Sequence, residues 1–209
     1  MQYVVLLLIL SLQFLLPLSS KSQDKALEQA VHQFNQIEQP AAYTALNLQF
    51  EQLHAADPSN WLIPYYAALI NARMCLLKMG DRDQLANRSL AWIAKAKSMV
   101  VNDELYCAES LANTAKMSVN PMMRWLSYEE KIKRPLQLAK KINPKNPRVY
   151  LLEAQLQYNL PVFFGGGCKA AKPIIQQAEQ NLLRQVTPNL VAPSWGRQAL
   201  VELKKACPY

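Results

Sequence analysis

The feature that most constrains this chain is a spacing of three to four between apolar residues, broken and restarted along almost its whole length. From Trp61 the run Tyr65, Ala68, Ala72, Cys75 and Met79 lies on one helical face. Gly80 and Asp81 end it, and Leu85, Leu90, Ile93 and Val100 carry the next stripe. Asn102 and Asp103 supply an N-terminal cap for Leu105, Ala108, Ala112, Ala115 and Val119. After Asn120 and Pro121 come Trp125, Tyr128, Ile132, Leu136 and Ala139, with Pro135 expected to kink this helix or move its start. Further stripes run through Val149 to Leu160, Ala171 to Leu182 and Trp195 to Ala206, and an earlier pair through Leu27 to Ile37 and Tyr43 to Leu53. No segment alternates with period two. The chain has only five glycines, and three of them are adjacent, so a turn-rich β fold is excluded.

The stripes pair, and the pairs repeat. Asp57-Pro58-Ser59-Asn60 and Asn143-Pro144-Lys145-Asn146 each precede a first helix. Aligning them sets Ala68 over Ala154, while Tyr106 over Tyr150 sets Ser110 at the same small-residue position. The interval is a little over forty residues. Repeats of that length are stacked helical hairpins, each burying the face its neighbour leaves open. The expected fold is all-α: a stack of four antiparallel hairpins closed by a C-terminal capping helix. Residues 23–209 form it as a single domain.

The same residues resemble tetratricopeptide repeats. Ala154 matches that family's small residue in the first helix, Ala171 and Ala178 its alanine pair in the second, and Ala139 with Pro144 its Ala-to-Pro spacing. Three features depart from the pattern: the interval is longer, Glu109 and Glu153 stand where an apolar residue is usual, and Pro135 interrupts a second helix. The stretches Trp61 to Tyr66, Val119 to Met122 and Phe163 to Gly167 are similar to secreted or periplasmic tetratricopeptide proteins of the Bacteroidota. That resemblance implies fold and location far more than activity.

Residues 1–22 read as a secretory signal peptide. No charge occurs from Met1 to Ser20, Val4 to Leu18 is nearly all apolar, and Ser19, Ser20 and Ser22 follow. The apolar run is short for a membrane span, so the mature chain is expected in the periplasm or outside the cell and not spanning a membrane. Export places Cys75, Cys107, Cys168 and Cys207 in an oxidising compartment. Four cysteines allow three full connectivities. Cys75 and Cys107 fall on apolar faces, as buried thiols do. A Cys168–Cys207 bridge would pin the last helix to the body.

Net charge is +8 and uneven, with eight Lys and Arg from Arg124 to Arg148 against Glu129 and Glu130. Export argues against nucleic acid, and a solvated helix face is the plainer reading. His32 and His54 lie on separate helices without metal-ligand spacing. No motif sets a base against a nucleophile, and no cofactor is indicated. The chain thus reads as a non-catalytic exported protein that binds a protein partner or acts as a scaffold, with a small-ligand or solute-binding accessory protein as the alternative. Oligomeric state stays open.

Solenoids bind through the concave face of their first helices, which makes Tyr66, Asn71, Asn113 and Gln157 groove candidates. Trp61, Tyr65, Tyr66 and Trp125 are either groove aromatics or core. The loop Phe163, Phe164, Gly165, Gly166 and Gly167 precedes a helix but lacks the Gly-Lys-Ser/Thr of a phosphate loop. The alternative is a connection that needs positive φ, with both phenylalanines plugging the hairpin. A reactive Cys168 beside Lys169 is the remaining, enzymatic reading.

Overall fold

The computed structural model describes residues 20–208 apart from residue 38. Residues 1–19 of the expected leader lie outside the described residues. Those described form α1 (Ser20–Asn35), α2 (Ala42–Ala56), α3 (Leu62–Leu76), α4 (Arg82–Met99), α5 (Asp103–Ser118), α6 (Pro121–Ile142), α7 (Pro147–Asn159), α8 (Cys168–Arg184) and α9 (Arg197–Ala206), with one 3₁₀ turn at Val162–Phe164. Successive pairs pack as antiparallel hairpins, and α9 caps the last pair against α8 and α7. The fold is therefore the expected all-α hairpin stack.

Local chemistry starts the four helices from α4 to α7. Asp81, Asn102, Asn120 and Asn146 accept hydrogen bonds from the backbone N–H groups of Gln84, Leu105, Met123 and Arg148, satisfying donors the helix itself leaves open. Pro121 and Pro147 occupy the first helical positions, where a missing N–H costs nothing. Pro135 does not break α6, which runs continuously from Pro121 to Ile142. The Asn120 cap fixes where the helix begins, and Pro135 is buried with Ile132 and Leu136, so packing holds the helix across the one hydrogen bond the ring removes.

The first helices α3, α5 and α7 pack in succession, each also against the second helix of the preceding hairpin. α3 is buried on every side from Ile63 to Ala72 and is the centre of the core. Phe34, Phe50 and Tyr65 surround Tyr66 with ring centroids 5.3, 5.7 and 5.1 Å away. Tyr65 and Tyr66 are thus core, whereas Trp61 is half-buried against Tyr65. Where helices cross closely, Ser89 Oγ donates to the Ala68 carbonyl and Ser110 Oγ to the Ile132 carbonyl.

The two glutamates that depart from the repeat pattern tie neighbouring hairpins together. Lys97 of α4 bonds Glu109 at 2.8 Å and lies over the Tyr106 ring, and Lys140 of α6 bonds Glu153 at 3.0 Å and lies over Tyr150. The basic block is accordingly divided. Lys133 and Lys140 are paired, Arg148 is buried, and Lys131, Arg134, Lys141 and Lys145 are exposed.

The segment 185–196 runs back across the stack. Val191 O accepts from the Tyr66 hydroxyl at 3.0 Å, Ser194 Oγ accepts from Asn35 at 3.1 Å, and Trp195 Nε1 donates to the Tyr65 hydroxyl at 2.7 Å. Beneath it, Glu104 is buried and accepts from Tyr65, from Asn146 and from both Nε and Nη2 of Arg148. Burial pushes the Glu104 carboxyl and the Tyr65 hydroxyl up. Burial works most strongly against the Arg148 cation, but the facing Glu104 carboxylate and the Tyr65 hydroxyl together offset it and hold the guanidinium charged. This network joins α3, α5, α7 and the returning segment at one point.

Candidate ligand-binding groove

The hairpin stack encloses an open groove of about 1020 Å³. Its walls grade into the core, since Leu152 and Leu203 belong to both. α7 contributes Leu152, Gln155, Leu156 and Asn159, and α9 contributes Ala199, Glu202, Leu203 and Ala206, both with the spacing i, i+3, i+4, i+7. Leu111, Thr114, Met117 and Ser118 come from α5, and Pro121, Met122 and Trp125 from the first turns of α6. Leu160, Pro161 and Phe164 close one end. The lining is overwhelmingly apolar, and its one acid, Glu202, pairs with Lys205 at 3.1 Å.

A smaller hollow of about 260 Å³ adjoins the groove and shares Leu76, Leu111, Leu152, Gln155 and Ala199 with it. Its other walls are Arg73, Leu77, Leu151, Trp195 and the start of the second helix with the turn before it.

The rim carries apolar groups in open solvent. Met122 is 95% exposed, Leu126 89% and Phe163 80%. Exposed apolar clusters of this kind mark recognition surfaces. Phe163 and Phe164 therefore do not plug the hairpin; their rings lie 4.0 Å apart outside it, and Phe164 borders the groove. The glycines shape the turn beneath them. Gly165 and Gly167 have φ of 82° and 87°, and a Cβ on Gly166 would meet Leu160 O at 2.1 Å. Gln157 latches the loop, donating to Gly165 O at 2.5 Å and accepting at its own carbonyl from Gly167 N–H.

The four groove candidates from the sequence fall elsewhere. Tyr66 and Asn71 are fully buried, with Asn71 donating to Asn47 Oδ1 and Ala67 O. Asn113 donates to Glu109 O, and Gln157 serves the loop. None lines the groove. Trp125 does. Asn113 and Gln157 miss by one residue, since their neighbours Thr114, Leu156 and Tyr158 face the hollow. The apolar stripes read along the chain on α7 and α9 are themselves the walls: Leu152, Leu156 and Leu160, and Ala199, Leu203 and Ala206, line the groove.

Cys168 and Cys207 form a disulfide with Cα atoms 5.2 Å apart, which ties the end of α9 to the start of α8 and leaves no thiol at Cys168. Cys75 and Cys107 are free, buried thiols whose pKa values burial pushes up. His32 shares a hydrogen bond with Gln36, and His54 packs edge-on to Trp92, both away from the groove. Among the described residues no cluster of His, Cys, Asp or Glu is placed to hold a metal ion, and no helix is long and apolar enough to cross a membrane.

No protein-family model and no curated protein matches the chain by sequence. Among solved structures it is similar to the HusA haemophore from Porphyromonas gingivalis, a member of the Bacteroidota. The two are 28% identical over 89% of this chain and 92% of that one, with a TM-score of 0.79.

Proposed function

We propose that this chain is an exported carrier that binds haem in its concave groove without chemically altering it. The observation that carries the reading is the groove itself: a wide, open, apolar hollow within a fold that matches a haemophore over nearly its full length. Ligand sites are concave and mostly apolar with a few placed polar groups, which describes this lining. The donor chemistry fits as well. Haem iron is held in proteins by His, Cys, Met or Tyr, and Met117, Met122 and Tyr158 line the groove while both histidines lie outside it. Ligand binding thus replaces scaffolding as the first reading, and the leader expected over 1–22 supports a periplasmic or extracellular place of action.

Haem titrated into the purified chain is expected to give a saturable change in its absorbance spectrum at one equivalent. Leu156→Glu, which sets a charge on the apolar wall, is expected to weaken binding at least about ten-fold with helicity unchanged. Equal binding by this variant and the unaltered chain would remove the groove from consideration. A protein partner is a second reading, favoured by the exposed Met122, Leu126 and Phe163 on the rim. Loss of partner capture on charging Leu126 and Phe163, which lie outside the groove lining, with haem affinity intact, would separate the two surfaces.

A further inference from the structure

We infer that the smaller hollow is a carboxylate subsite, with Arg73 as the group that receives the acid edge of the ligand. This rests on the reading of the groove as a haem site and adds a polarity to it. Arg73 projects from the last turn of α3 into the wall of the small hollow, where it is half-buried. Among the described residues its side chain makes no hydrogen bond or ion pair, and no acid lines that hollow.

The other arginines sharpen the point. Arg82 donates to Cys75 O and Ser118 O, Arg124 to Asp83, and Arg148 to Glu104. The remaining arginines, at 88, 134, 184 and 197, are exposed and solvated. Among the described residues Arg73 is the arginine partly withdrawn from water with neither an anion nor a carbonyl oxygen to receive its donors. A guanidinium so placed is completed by a carboxylate, which it grips with two parallel N–H donors.

The ligand's chemistry supplies the match. Haem is a flat apolar ring with two carboxylates on one edge. The large hollow is apolar and takes the ring; the small one adjoins it, with Gln155 among the residues that line both. An acid edge placed in the smaller hollow meets Arg73, and the bare edge lies in the apolar groove. The same geometry would orient any flat apolar carboxylic acid of this size.

The test compares haem with haem dimethyl ester, whose carboxylates are masked, on the unaltered chain and on Arg73→Gln and Arg73→Lys. Binding is read from absorbance and from quenching of tryptophan fluorescence, since Trp125 and Trp195 line the two hollows. The ester is expected to bind the unaltered chain at least about ten-fold more weakly than haem. Arg73→Gln should lose the same factor for haem and nothing for the ester, and Arg73→Lys should recover part of it. Haem and ester binding equally well to the unaltered chain would overturn the subsite while leaving the groove reading in place. Binding of neither compound would instead overturn the haem reading on which the subsite depends.

Discussion

Replacing both Cys168 and Cys207 by serine tests whether one covalent tie holds a wall of the groove. The bridge spans 39 residues. Removing a cross-link over that length restores about 3.9 kcal/mol of chain entropy to the unfolded state at 25 °C. If the whole chain unfolds as one unit, the melting temperature falls by roughly 8–16 °C, at about 2–4 °C per kcal/mol for a chain of this size. The structure indicates a more local loss first. α9 has ten residues, too short to hold as a helix alone, and docks mainly through Leu200 and Leu203. Its far end is held by Cys207. Hydrogen exchange followed by mass spectrometry on the serine variant should show α9 losing most of its protection while α5 keeps its own. Haem affinity should fall with it, because Ala199, Leu203 and Ala206 are groove wall. A melting temperature within about 2 °C of the bridged chain, together with unchanged protection in α9, would refute the reasoning: packing would then hold the cap unaided.

Arg148→Met leaves the Glu104 carboxylate buried without its cation and should cost about 3–5 kcal/mol in urea unfolding, whereas Arg148→Met combined with Glu104→Gln should recover much of that loss. Asp83 accepts hydrogen bonds from Arg124 and Lys116, which hold its carboxyl well below the usual carboxylate range. Because the folded value is depressed, its stabilising contribution is complete above the unfolded value of about 3.9 and disappears only as pH falls through the folded one. Arg124→Ala should therefore raise the Asp83 pKa in an NMR titration and shift acid unfolding to higher pH; an unmoved Asp83 resonance would contradict this. Gly166→Ala drives a Cβ into the Leu160 carbonyl and should destabilise the chain by about 1–3 kcal/mol in thermal melts, with the largest loss of amide protection in the loop before α8.

Much of the helical framework was legible along the chain, for reasons particular residues make clear. Asn102 and Asn120 stand where caps are needed, and Ala68, Ser110 and Ala154 mark close helix crossings because a larger side chain would hold the helices apart. Pro135 did not move the start of α6, because the Asn120 cap sets that start and the proline ring is buried within the helix. The groove was less legible. Its residues are ordinary leucines, alanines and methionines that differ from core residues only in what stands opposite them, and nothing local states that.

What the amino-acid order determined alone is therefore the set of helices, their pairing and the small residues at their crossings, since these follow from spacing within a few turns. Tertiary structure alone decided that Glu104 meets Arg148 across 44 positions, that Trp195 reaches Tyr65 across 130, and that the apolar stripes of α7 and α9 border a hollow. The physical reason is range. Backbone hydrogen bonds and helical periodicity act over four residues, whereas the hollow exists only where the walls contributed by several helices come together.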